Sequence, residues 1–224
     1  MATTWAQTNF CIRNDNGSET TATWKAALDT NYTQLVGAAG VILRLRIAAQ
    51  ETGTTASTLT ARLYKSKNGG AYAQIGSGDT DGCRVAASAN FADNDATTQQ
   101  LTSGTFVAGR MDDATGQCTA TSSISQNGRT EHEYCIELVF ANLADGDYFD
   151  FRERASTTAF GTYTVTPRLT ITKSTPPTVA LNTPTDTGTV TSATPTFNFT
   201  ATDVNGDTVE YQIQIDTVNT FDGN

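Results

Sequence analysis

The sequence predicts an all-β fold: a jelly-roll-like antiparallel β-sandwich followed by the first strands of a second, incomplete sandwich. Three observations carry this. Apolar and polar residues alternate with period two in short runs bounded by Gly, Asn and Asp, the pattern of half-buried strands. Threonine, a β-branched residue that suits a pleated surface, supplies 43 of 224 residues. Finally, composition changes at one place. All five prolines lie at or after Pro167, and Lys173-Ser174-Thr175-Pro176-Pro177 reads as a linker. Up to Lys173 there are 14 basic and 17 acidic residues, and beyond it none and six, so the two parts carry −3 and −6. Every Cys, Met and Trp lies in the first part. A boundary follows: residues 1–173 form one sandwich, 174–178 the Pro-rich linker, and 179–224 the start of another.

Along the first part, Trp5 to Arg13 reads as the opening strand. Thr21 to Leu35 is the one stretch that could be helical, although its threonines count against it. Val41, Leu43, Leu45 and Ile47 alternate with Arg44 and Arg46, and Leu59, Ala61 and Leu63 follow. Lys67-Asn68-Gly69-Gly70 is a hairpin turn leading into Tyr72 to Ile75, because Asn-Gly accepts the positive φ such turns demand. Shorter strands are expected at Cys83 to Ala87, Gln99 to Leu101, Thr105 to Ala108 and Ala120 to Ile124. Ser88 to Asp113 then becomes a surface excursion. From Thr130 to Phe140, one parity holds His132, Tyr134, Ile136, Leu138 and Phe140, and the other holds Glu131, Glu133, Cys135 and Glu137. Asp145-Gly146-Asp147 turns the chain into Tyr148 to Arg154. The last strand, Thr162 to Thr172, contains Pro167, which cannot donate to a ladder and implies an edge or a bulge. Nine or ten strands over about 170 residues exceed an immunoglobulin domain and suit a jelly roll with long loops.

In the tail, Pro176 to Leu181, Thr196 to Thr200 and Val209 to Asp216 are strand-like, with Asp203 to Asp207 as a turn. Residues 176 to about 221 resemble the opening strands of immunoglobulin-like or fibronectin-type-III-like repeats of bacterial and phage surface proteins. Such a repeat needs seven strands over about 100 residues. The expectation is therefore that the natural chain continues past Asn224, or that a neighbouring subunit donates a strand.

Composition removes several functions. With −9 overall and no basic stripe, a phosphate backbone has nothing to bind, which excludes nucleic acid as a partner. No apolar stretch approaches the roughly 20 residues of a membrane helix. Ten Phe and seven Tyr supply a core, which argues against disorder. Met1 to Trp5 has neither a basic nor an apolar segment of the secretory kind, so the expectation is a protein used without export.

Chemistry-bearing residues are few. His132 is the only histidine, and its strand face is shared with Tyr134, Ile136 and Leu138, which favours a core histidine over a Ser-His-Asp site. Glu131 and Glu133 share one face at i and i+2, a spacing that a glycosidase could use. The alternative is a solvated strand face, and no enzymatic activity and no cofactor are expected. Asp203, Asn205 and Asp207 offer oxygens at alternate positions, as a calcium loop does, but Gln214 stands where that loop needs Glu. Asp93-Asn94-Asp95 and Asp112-Asp113 are further acidic clusters. Cys11, Cys83, Cys118 and Cys135 are even in number and form no CxxC pair, so a metal knuckle is not expected. Cys83 with Cys118 is the first disulfide candidate, leaving Cys11 and Cys135 paired or free. Four reduced, buried thiols are the alternative.

The string from Arg84 to Leu101, then Gly104 to Gly109, Thr130 to Tyr134, Ala144 to Asp147 and Tyr163 to Pro167, resembles Thr-rich β domains of tailed-bacteriophage structural proteins and bacterial surface proteins. The resemblance covers about 40% of the chain and brings no catalytic residues. It implies a place on the outside of a particle or cell. The expectation is a virion protein assembled in the host cytoplasm, a capsid decoration (cement) protein before a tail, baseplate or fibre subunit. Its partners would be the major capsid protein, other virion subunits and further copies of itself. The alternative is an extracellular adhesin or carbohydrate-binding module. Contact residues are expected at Trp5 and Phe10, if these form an exposed N-terminal arm, with first-strand core as the alternative, and at Phe91 and Phe106 in the long loop.

Overall fold

The computed structural model describes residues 4–185, 188–203 and 208–213. Fourteen strands are present among them: β1 (Trp5–Asn14), β2 (Tyr32–Val36), β3 (Val41–Glu51), β4 (Ala61–Lys67), β5 (Ala73–Gln74), β6 (Cys83–Val85), β7 (Met111–Asp112), β8 (Arg129–Leu138), β9 (Tyr148–Ala155), β10 (Thr158–Ala159), β11 (Thr162–Tyr163), β12 (Arg168–Lys173), β13 (Thr178–Thr183) and β14 (Asn198–Thr202). One 3₁₀ turn, Phe140–Asn142, is the helical exception among the described residues, and no helix there is long and apolar enough to cross a membrane. The fold is an all-β sandwich. Close contacts divide the chain at Lys173/Ser174 into two units.

The first unit stacks two six-stranded sheets. One runs β11-β1-β3-β8-β6 with β7 beside β8, and the other β2-β12-β9-β4-β5 with β10 beside β9. Most neighbours are antiparallel, but β1·β11, β2·β12 and β7·β8 are parallel, so both sheets are mixed. Alternation decides which side chains meet between them. Phe10, Ile12, Leu43, Leu45, Ile47, Tyr134, Ile136 and Leu138 from the first sheet pack on Val36, Leu63, Phe149, Phe151, Leu169 and Ile171 from the second. A register shift between Gln7 and Asn9 keeps both Trp5 and Phe10 on this core side.

Several local expectations change. Thr21 to Leu35 is not helical: its first half is loop, bridged at Trp24 to Arg13, and its end enters β2 beside β12. Thr162 to Thr172 is two strands in different sheets, and the chain crosses between them just before Pro167, whose missing N–H suits a break in the ladder. Gln99 to Leu101 forms no strand, and Thr105 to Ala108 and Ala120 to Ile124 contribute single bridges.

In the second unit β13 and β14 form an antiparallel two-stranded sheet. Val179, Leu181, Phe197, Tyr211 and Ile213 are exposed beside it, around an apolar groove of about 490 Å³. The alternating run from Val209 is not in a strand over its described part, 208–213.

Candidate functional site

The outer face of the first sheet holds the residues with the most chemistry. Arg13 on β1, Arg44 and Arg46 on β3, and Glu131 and Glu133 on β8 all point away from the apolar core, yet none is exposed to solvent. This corrects the reading of Glu131 and Glu133 as a solvated face. Two loops cover it, the one after β1 and the 88–113 excursion.

Glu133 is the hub. Its Oε2 accepts from Arg13 Nη1 and Arg46 Nη1, each at 2.8 Å, and its Oε1 lies 3.5 Å from Arg44 Nη1. Glu131 Oε2 accepts from Arg46 Nε at 2.8 Å, and its carboxylate also receives the amides of Gln100, Leu101 and Thr102 and the Thr102 hydroxyl. The covering loops bring two more carboxylates: Asp15 accepts from Arg44 Nε at 2.6 Å and Glu19 from Arg46 Nη1 at 2.6 Å. Arginine donors also reach backbone carbonyls, Arg13 to Ala22, Arg44 to Gly17, and Arg46 to Thr98. Three cations thus meet four carboxylates, and multiple hydrogen bonds offset the desolvation that would otherwise expel such charges. Phe91, half-buried, lies over Arg44 with the guanidinium carbon 4.8 Å from its ring centroid.

The carboxylates of this layer are used to fasten the covering loops. A general acid or base needs a proton to exchange with a substrate, whereas Glu131 and Glu133 have their oxygens committed to arginine and amide donors in an enclosed space. Burial pushes the Glu19 carboxyl up, but the Thr98 amide and Arg46 outweigh it, and the group ends below its ordinary 4.5.

On the core side, His132 is fully buried with Nδ1 3.2 Å from Glu153 Oε1, and neither ring nitrogen makes a hydrogen bond. Tyr134 donates to the same Glu153 oxygen at 3.1 Å, and the Glu153 amide donates to Gln7 Oε1 at 2.8 Å.

The four cysteines are free and buried, which corrects the disulfide expectation. Cys11 on β1 and Cys135 on β8 are separated by the whole of β3. At about 4.8 Å per strand they stand beyond disulfide reach. Burial raises the thiols of Cys11, Cys83 and Cys135 to about 12 and that of Cys118 well above its ordinary value, which disfavours the nucleophilic thiolate at all four.

The expected contact residues divide. Trp5 is 3% and Phe10 2% exposed; Trp5 packs against Phe160 with ring centroids 6.3 Å apart. Both are core because the first strand is a central member of its sheet, and the exposed-arm reading is withdrawn. Phe91 and Phe106 are half-buried in the excursion, Phe106 bridging to Arg129. Of the calcium candidates, Asn205 and Asp207 lie outside the described residues. Among the described residues no three His, Cys, Asp or Glu side chains converge to hold a metal. Asp112 instead caps its own turn, accepting from the Thr115 and Gly116 amides.

Sequence reasoning missed the ionic layer. Its signal was present as Arg44-x-Arg46 on one strand and Glu131-x-Glu133 on another, with a long excursion between the two. A second group was missed too. On the outer face of the second sheet, Arg152 lies between the rings of Tyr72 and Tyr163, 4.5 Å from each centroid, and Arg154 lies 4.1 Å over Tyr64. No protein-family model, curated protein or solved structure matches this chain.

Proposed function

We propose that this protein is a non-enzymatic structural component of a tailed-bacteriophage virion, a capsid decoration protein, with the major capsid protein, other virion subunits and further copies of itself as partners. The observation that supports this best is the use to which the polar groups are put. The carboxylates with a spacing fit for catalysis bind three arginines and a loop instead, and so they lock a long excursion onto a sheet. A particle component needs that kind of rigidity. The resemblance of residues 84–167 to phage structural β domains points the same way, since it includes both the excursion and the β8 segment Thr130 to Tyr134 that holds it. Quantitative mass spectrometry of purified virions tests the reading. A copy number comparable to that of the major capsid protein is expected, and absence from virions overturns it.

A further inference from the structure

The two sheets treat their outward arginines in opposite ways. Under the excursion, Arg13, Arg44 and Arg46 are matched by four carboxylates. On the second sheet, Arg62 of β4 stands directly opposite Arg154 of β9, with Arg152 one pleat along opposite Tyr64. Leu63, Phe151 and Glu153, the residues between them, are buried in the sandwich, so these arginines face outward. Like charges directly across a ladder are destabilising, and the local partners of this pair, the Tyr64 ring for Arg154 and Gln74 for Arg62, carry no negative charge. Asp150, the nearby acid, is held by Arg168 at 2.8 and 2.9 Å. Among the described residues, Arg62, Arg152 and Arg154 have no carboxylate within ion-pair distance.

The tyrosines orient these groups. The Arg152 and Arg154 guanidinium carbons lie 4.1 to 4.5 Å from tyrosine ring centroids, contacts that hold a group whose terminal N–H donors can fork onto a carboxylate. The Nε atoms of Arg62 and Arg152 are enclosed and donate to nothing, while Arg62 Nη1 reaches only Gln74 Oε1, at 3.3 Å.

We propose that this face is a docking surface for a carboxylate-rich polypeptide surface of a partner protein. Arg62, Arg152 and Arg154 supply the donors; Tyr72 and Tyr163 hold Arg152, Tyr64 holds Arg154, and Gln74 holds Arg62. Charge complementarity selects the occupant. Three arginines without an acidic partner, set two abreast and one pleat along, match the spacing of carboxylates displayed on a polypeptide surface. The proposal rests on this face alone and holds whether or not the protein belongs to a virion.

The test is biolayer interferometry of the full chain on immobilised poly-L-glutamate, with alginate and a single-stranded DNA 20-mer in parallel. Binding to polyglutamate that weakens with salt is expected. The double variant R152E/R154E should lose at least about tenfold in affinity. R152K/R154K keeps the charge and the sheet, and should still lose severalfold because an ammonium cannot replace the stacked fork. R84E, which alters an exposed arginine paired with Glu137 elsewhere, should bind as the wild type does. The proposal is overturned by absence of polyglutamate binding, by wild-type affinity in the lysine variant, or by tighter binding to alginate or DNA.

Discussion

Glu133 accepts from Arg13 and Arg46 at 2.8 Å while fully enclosed, and little in the molecule is more sensitive to change. Removing one partner of a buried ion pair leaves the other desolvated without compensation, which costs about 3–5 kcal/mol. Glu133→Gln leaves three interior arginines facing one interior carboxylate, and the expected loss in urea unfolding is of that size. Glu137→Gln, four residues along the same strand face, removes an ion pair with an Arg84 whose side chain is 40% exposed, and should cost under about 1 kcal/mol. Equal losses would contradict the burial of the layer. At this scale the sequence was least legible. A Glu-x-Glu parity on a strand looks the same whether water or arginine lies above it, and Trp5 looks the same as an arm or as core.

At the scale of elements, the excursion between β6 and β7 is a strap held by side chains. It donates Gln100, Leu101 and Thr102 amides to Glu131, and Thr98 to Glu19 at 2.8 Å. It also runs against β8 so closely that a Cβ at Gly109 would lie 2.0 Å from the Glu131 carbonyl oxygen. The Glu19 carboxyl is held below 4.5 when folded, so the stability it contributes is present above about pH 4.5. That contribution is lost as pH falls through the lower folded value. Urea midpoints followed by circular dichroism should therefore drop between pH 5 and pH 3, and drop less in Glu19→Gln. An equal drop in both would remove Glu19 as a fastening of the strap. The elements themselves were largely readable. β1, β3, β8 and β9 follow alternation, and the turn at Asn68-Gly69 has φ values of 51° and 75°, as Asn-Gly implies. Alternation failed where partners are distant. β2 pairs in parallel with β12 across more than a hundred residues, and no local pattern encodes that.

For the whole molecule, the apolar cluster between the sheets draws, among the described residues, on those from Trp5 to Ile171. In the second unit, by contrast, the larger apolar side chains at Val179, Leu181 and Phe197 are exposed. A chain ending after Pro176 should therefore unfold within about 1 kcal/mol of the full chain in urea, because it keeps a whole core. A larger difference would mean that residues beyond 176 stabilise the first sandwich. The all-β class, the composition boundary near residue 173 and the acidic balance were determined by the sequence alone. Side-chain period and residue chemistry are local properties and survive without knowledge of the fold. Only the tertiary structure decided which outward faces are covered. It enclosed Arg13, Arg44, Arg46, Glu131 and Glu133 beneath a strap, kept four thiols apart, and left Arg62, Arg152 and Arg154 half-buried without a carboxylate partner among the described residues. Burial of a strand's second face depends on what a distant segment lays over it, and that is a property of the folded chain.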